Sequence, residues 1–253
     1  MSGPIKEYIK HYTLTAPECS PQAIMPLTLL AGRVIETATY HANDLGIGYA
    51  RLLADGKAWV LSRLSIEMRR WPSVSEEYTL RTWIEGFNRH FSERNFEITG
   101  LDDEVLGHAR SIWMAIDIKE RQGGDLSMLD ALRDTVCDRP CPMEKTRRFS
   151  PVGDTADYES RYRFRYCDCD FNRHVNTLRY IELIQNRWDM DFYDSHRVSR
   201  FDIAFMHEAK CAQEAMLLIR DDGDDNYSAE ITIDGEAVSR ARMAFTDYEY
   251  KQL

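Results

Sequence analysis

DCDFNRHVNTLRYIELIQNRW, residues 168–188, changes character midway. Its first part sets Asp168, Asp170, Asn172, His174 and Asn176 at alternate positions. Its second part reads as a helix: Asn176 is a favourable N-cap, and Leu178, Ile181, Leu183, Ile184 and Trp188 recur at helical spacing. Upstream, RYRFRYCDCD (161–170) alternates, with Arg161, Arg163 and Arg165 on one side and Tyr162, Phe164 and Tyr166 on the other, as in a half-buried strand. Carried to Asp170, that period places Asp168 and Asp170 on the aromatic face. A carboxylate there is costly without a partner, and desolvation raises its pKa, which is one way to make a proton-transfer group.

Singly, these residues have ordinary uses. Asp170 and Asn172 suit Asx-turns, Asn176 a cap and His174 a hydrogen-bonded turn. The joint spacing Asp-x-Asn-x-His between a strand and a helix start points to chemistry instead, because a helix N-terminus offers unpaired N–H groups and positive potential to a developing oxyanion.

The chain also repeats itself. His41-Ala42-Asn43 leads into DLGIGYARLLA, and His174-Val175-Asn176 leads into TLRYIELIQNRW, 133 residues later. IEMRRWPSVSEEYTLR (66–81) lies over IAFMHEAKCAQEAMLL (203–218), and VLGHARSIWMAID (105–117) resembles AVSRARMAFTD (237–247). Three matches in one order imply duplication. Each half reads as a strand, a helix and a run of strands rich in β-branched and aromatic residues, separated by turn signals such as Asp102-Asp103 and Asp234-Gly235. The expected fold class is α+β, with a curved antiparallel sheet wrapping a helix in each half. The expected boundaries are an N-terminal domain at 1–122, a linker at 123–154 with a short helix near Leu126–Arg133, and a C-terminal domain at 155–253. Cys137 and Cys141 in the linker lack a second cysteine or histidine pair at zinc spacing and read as free thiols.

Composition narrows the function. With 253 residues, 43% hydrophobic and 29% charged, the chain can bury a proper core. A net charge of -10 argues against nucleic acid as a partner. No stretch approaches a membrane span, and MSGPIKEYIKHYTL has no apolar signal region, so no membrane association and a cytoplasmic location are expected. The six cysteines show no disulfide framework.

Asp170-Phe171-Asn172-Arg173-His174-Val175-Asn176, followed by Tyr180-Ile181, resembles the signature of the plant and bacterial acyl-acyl carrier protein (acyl-ACP) thioesterases. Trp59–Leu64, Arg81–Ile84 and Arg110–Trp113 resemble first-domain segments of that family. The resemblance runs from about residue 5 to 249. It implies two tandem hotdog domains, each a long helix wrapped by an antiparallel sheet, and hydrolysis of fatty acyl-ACP thioesters to free fatty acid in fatty acid biosynthesis. It places the catalytic Asp, Asn and His on Asp170, Asn172 and His174, and a catalytic Glu on Glu208. Plant members often carry a cysteine directly after that glutamate; here Ala209 stands there, which speaks against a cysteine nucleophile. No Gly-x-Ser-x-Gly elbow occurs either, so water is the expected attacker.

By the His-x-Asn offset, Asp170 and Asn172 correspond to Thr37 and Thr39, and by the strand match Glu208 corresponds to Trp71. The first half is thus expected to shape the acyl pocket and the second to do the chemistry, without metal or organic cofactor. Glu208 and His174 would activate water, Asn172 and a backbone N–H would hold the oxyanion, and Asp170 would orient its neighbours. Which acid is the base, or whether one attacks as a nucleophile, stays open. The rivals are an acyl-CoA thioesterase, a hotdog hydratase, whose Asp-x-Asn-Pro-x-His is one residue longer, and an acyl-binding module without chemistry. The expected partner is acyl carrier protein. It is acidic, so the basic stretch from Lys145 to Arg179, with Arg161, Arg163 and Arg165 on one strand face, is expected to receive it. Sheet edges would further allow a homodimer.

Overall fold

Alternating apolar residues demand a sheet with one dry face, and the protein builds one sheet from both halves. The computed structural model describes residues 5–88, 90–120, 123 and 132–250. The first half contains β1 (Glu7–Thr13), α1 (Leu27–Asp44), α2 (Tyr49–Ala54), β2 (Lys57–Met68), β3 (Glu77–Phe87), β4 (Phe91–Thr99) and β5 (Val105–Asp117). The second contains β6 (Tyr158–Arg163), α3 (Thr177–Gln185), α4 (Met190–Ser195), β7 (His196–Phe205), β8 (Glu214–Gly223), β9 (Asn226–Ile233) and β10 (Glu236–Asp247). The order across the ten strands is β1-β3-β4-β5-β2-β7-β10-β9-β8-β6, antiparallel throughout. Read inward from either edge, the two halves repeat one order. They join where β2 pairs β7, from Arg63 opposite Ala204 to Glu67 opposite Arg200.

The inner face is apolar. Leu64 and Ile66 of β2, Phe96 and Ile98 of β4, Phe201 and Ile203 of β7 and Ala241 and Met243 of β10 form one core with Leu30 and Val34 of α1 and Ile181 and Ile184 of α3. α1 and α3 therefore lie on the same face of the sheet, with Leu178 of α3 against Gly32 of α1. A polar pair sits in the first half: buried Arg94 brings Nη1 to 2.6 Å from Nδ1 of His41, which is also fully buried. Burial first, and then the Arg94 charge, push the His41 pKa down to about 3, so a neutral imidazole accepts the arginine N–H.

The outer face is polar, and the chain between the halves crosses it. Trp83 Nε1 donates to the Arg139 carbonyl at 2.9 Å, Arg110 Nε to that of Met143 at 2.9 Å, Arg200 Nη2 to that of Glu144 at 3.0 Å and Arg242 Nη2 to that of Arg147 at 2.6 Å. The helix expected near Leu126–Arg133 falls almost wholly outside the described residues, as does the boundary at residue 122. Cys137 and Cys141 are free thiols. Among the described residues no helix is long and apolar enough to cross a membrane.

Two expectations are corrected. The strand through 161–170 ends at Arg163, and Tyr166–Asp168 is a 3₁₀ turn that leaves Tyr166 87% exposed. The buried Asp168 side chain accepts the Arg165 N–H at 2.7 Å and the Tyr162 hydroxyl at 3.0 Å, a local bond that competes with the ladder and turns the chain. Helix α3 stops at Gln185, and Trp188 packs instead in an aromatic cluster with Phe192, Tyr227 and Phe245.

Candidate active site

Past the 3₁₀ turn the chain doubles back within five residues. The Asp170 N–H donates to the His174 carbonyl at 2.8 Å, and the Arg173 N–H to the Asp170 carbonyl at 3.0 Å. Closing so tight a turn drives Arg173 to a φ of 64°. The Asp170 carboxylate faces inward: Oδ1 accepts the N–H of Asn172 at 2.8 Å and that of His174 at 3.3 Å. Asp170 thus fixes the backbone of both other motif residues. α3 then begins as its cap requires, with Asn176 Oδ1 accepting the Leu178 N–H at 2.9 Å.

The second component arrives from the end of β7. The Val175 N–H donates to the Ala209 carbonyl at 2.8 Å, and His174 lies opposite Lys210 in an antiparallel bridge. This brings Glu208 Oε2 to 3.3 Å from His174 Nε2, both side chains partly exposed. The structure thus joins His174 directly to Glu208 and joins Asp170 to His174 through the backbone. Asn172 lies at the exposed tip, beside Phe171. An imidazole held against a carboxylate at the start of a helix is a pair that can take a proton from water. Phe171 itself meets Tyr49 of α2 edge-to-face at 5.6 Å, an exposed contact across the halves that no periodicity in the sequence announces.

Thiols have no comparable placement. Cys167 and Cys211 are exposed. Desolvation, then Cys211 and the acids Asp168 and Asp170, hold the Cys169 thiol above its ordinary pKa, against thiolate formation. Ala209 is fully buried with both backbone groups bonded, so a side chain at this position enters the core. Joint replacement of Cys167, Cys169 and Cys211 by serine should therefore keep most of the wild-type catalytic turnover. Complete loss with native circular dichroism would restore a thiol nucleophile.

The first half contains the same turn, at a different offset from the one the His-x-Asn letters suggest. Ser20 N–H donates to the Ile24 carbonyl as Asp170 does to that of His174, Met25 N–H to that of Pro72 as Val175 does to that of Ala209, and Ala23 has a positive φ like Arg173. The counterparts of Asp170, Asn172 and His174 are therefore Ser20, Gln22 and Ile24, not Thr37, Thr39 and His41; His41 belongs to the last turn of α1. Trp71 remains the counterpart of Glu208. Here the turn braces the other half: Gln22 Nε2 donates to Asp194 at 2.8 Å and Trp71 Nε1 to the Val198 carbonyl at 2.8 Å. No acid or histidine occupies the equivalent places.

The family model of the acyl-ACP thioesterase N-terminal domain matches residues 6–130, and that of the C-terminal domain matches 153–247. The crystal structure of an acyl-ACP thioesterase from Bacteroides thetaiotaomicron superposes with a TM-score of 0.88 at 29% identity, over 95% of this chain and 98% of that one. The 12:0-ACP thioesterase of Umbellularia californica gives 0.84 at 18% identity, over 96% and 98%. Chloroplastic relatives include a dodecanoyl-[acyl-carrier-protein] hydrolase of Cinnamomum camphora, 21% identical over 81% of this chain, and oleoyl-acyl carrier protein thioesterase 2 of Arabidopsis thaliana, 23% over 82%. The matched regions span only 56% and 60% of those two plant proteins.

Proposed function

The chain belongs to the acyl-ACP thioesterase family, and from that premise we propose that it hydrolyses fatty acyl-ACP thioesters to free fatty acid and holo carrier protein, as a step of fatty acid biosynthesis in the cytoplasm. The observation that carries this reading is the contact of His174 with Glu208 at the start of α3. We read the halves as tandem hotdog domains, 1–122 and 155–253, joined by a linker at 123–154 whose described part straps the outer face; the repeated strand order and the two helices on one face support this. Chemistry belongs to the second half and the acyl pocket to the first.

In the reaction, water attacks the thioester carbonyl and yields its proton to the His174–Glu208 pair. Asn172 and an N–H at the start of α3 hold the oxyanion. Asp170 positions Asn172 and His174 through the backbone bonds described above. Collapse of the tetrahedral intermediate expels the pantetheine thiolate, which takes the proton back. A thioester is already activated, so the step calls for no metal or organic cofactor. Incubation with acyl-ACP tests the class: free thiol with fatty acid means hydrolysis, a 3-hydroxyacyl thioester means hydration, and unchanged ligand means binding alone.

The carrier's docking face is narrower than the basic stretch suggests. Arg147 and Arg148 lie on the strap over the outer face, Lys145 there pairs with Glu85 at 3.0 Å, and Arg161 and Arg163 project outward from β6. Arg165 and Arg173 belong to the turns of the site itself and are exposed, with the bare rings of Tyr166 and Phe171 beside them. Raising salt from ~50 to ~300 mM should weaken hydrolysis of carrier-bound substrate chiefly through KM, because screening acts on docking and not on the reacting bonds. Arg165→Glu/Arg173→Glu should do the same, and Arg147→Glu/Arg148→Glu should not. A short pantetheine thioester should respond little to either. Equal effects on both substrates would place the carrier elsewhere and favour a free acyl thioester such as acyl-CoA as substrate.

A further inference from the structure

A buried hydroxyl stands directly behind the His174–Glu208 pair. Tyr180 lies on the second turn of α3, almost fully buried, its ring between Phe164 at 5.9 Å and Phe205 at 5.8 Å. Its hydroxyl accepts the N–H of Ala209 at 3.1 Å in a site closed to water. Ala209 directly follows Glu208. On its other side Ala209 accepts the Val175 N–H at 2.8 Å, so the residue is clamped at once by the helix and by the turn that carries His174. A partly exposed glutamate on an irregular segment after a strand has many rotamers available. Clamping the peptide bond next to it restricts which of them reach the imidazole.

We propose that Tyr180 is a positioning residue of the site: its hydroxyl fixes the backbone that carries Glu208 and so sets the carboxylate against His174. This rests on the reading of His174 and Glu208 as the water-activating pair. Tyr180 is no proton carrier itself, since burial pushes its hydroxyl up to about 12. Its effect on the chemistry passes through the Glu208 carboxylate, which distinguishes it from a core residue that merely holds the fold together.

The test is Tyr180→Phe, which keeps the ring between Phe164 and Phe205 and removes only the acceptor. The expected result is a fall in kcat of about tenfold to a hundredfold, the scale of a small misplacement of a catalytic group, with KM within about twofold. In a Glu208→Gln background the same change should cost less than about twofold further, because the positioned carboxylate is already gone. Nitrogen-15 spectra of labelled histidine provide a readout that needs no turnover. The His174 Nε2 signal, assigned by its loss in His174→Gln, should move in Tyr180→Phe toward its place in Glu208→Gln. Should Tyr180→Phe fail to fold, 3,5-difluorotyrosine at 180 keeps ring and hydroxyl while weakening the oxygen as acceptor, and the signal should move the same way by less. An unmoved His174 signal overturns the inference, as does a full independent loss in the Glu208→Gln background. Absence of hydrolysis by the wild-type protein would defeat the thioesterase reading, while the His174 signal would still decide the role of Tyr180.

Discussion

Glu208→Gln should lower kcat by roughly 10²-fold or more, the scale of lost general-base catalysis, while the fold and its melting temperature stay as they are. The substitution is nearly isosteric. The segment around Glu208 is held by the backbone of Ala209 between Tyr180 and Val175, and the substitution leaves those bonds in place. What is lost is the negative charge and basicity of the carboxylate 3.3 Å from His174 Nε2. Stopped-flow or steady-state assay of purified, folded variant checks this; near-wild-type turnover sinks the assignment of Glu208 to the base pair.

Asp170→Asn should cost a similar factor in kcat for a different reason, and it should also cost stability. Oδ1 of Asp170 gathers two backbone N–H groups, of Asn172 and His174, across a turn that forces Arg173 to positive φ. Bonds to a charged acceptor contribute about 1.5–3 kcal/mol against about 1 for a neutral one, so the amide holds the turn more weakly and His174 leaves its place. The two variants thus separate by calorimetry. Glu208→Gln melts with the wild type, and Asp170→Asn melts several degrees lower, with kcat reduced in both. Wild-type turnover in Asp170→Asn would mean that the turn holds His174 without the carboxylate.

The signals that succeeded in the sequence were those with a mechanism confined to neighbouring residues. Asn176 caps α3 because a carboxamide before an apolar helical stripe has few other uses, and Asp170 takes the Asx bonds its spacing to Asn172 suggests. The bland reading of Asp170 and the catalytic one turn out to be compatible, since the turn it builds is what presents His174. Failures came where one pattern had two causes. Tyr162, Phe164 and Tyr166 alternate, yet only the first two face inward, because Asp168 folds back on the Arg165 N–H before the period can continue. The corrective signal was present in the first half: Thr15-Ala16-Pro17-Glu18 forms a capping box at the equivalent turn, and aligning Thr15 with Arg165 would have set Ser20, Gln22 and Ile24 opposite the motif. The His-x-Asn letters at 41–43 and 174–176 matched by composition alone, one in a helix and one before it. The pairing of β2 with β7, the strap over the outer face and the contact of Tyr49 with Phe171 depend on where distant segments meet. Periodicity does not encode that.

In the proposed mechanism water, activated by His174 and Glu208, attacks the thioester itself. The decisive measurement is a single turnover of acyl-ACP in H₂¹⁸O, with enzyme in excess. Direct attack places one ¹⁸O in the released fatty acid and none in the protein. Peptides containing Asp170 or Glu208 that carry ¹⁸O, beside an unlabelled fatty acid, would rule this out and show that a carboxylate had attacked first to form a mixed anhydride.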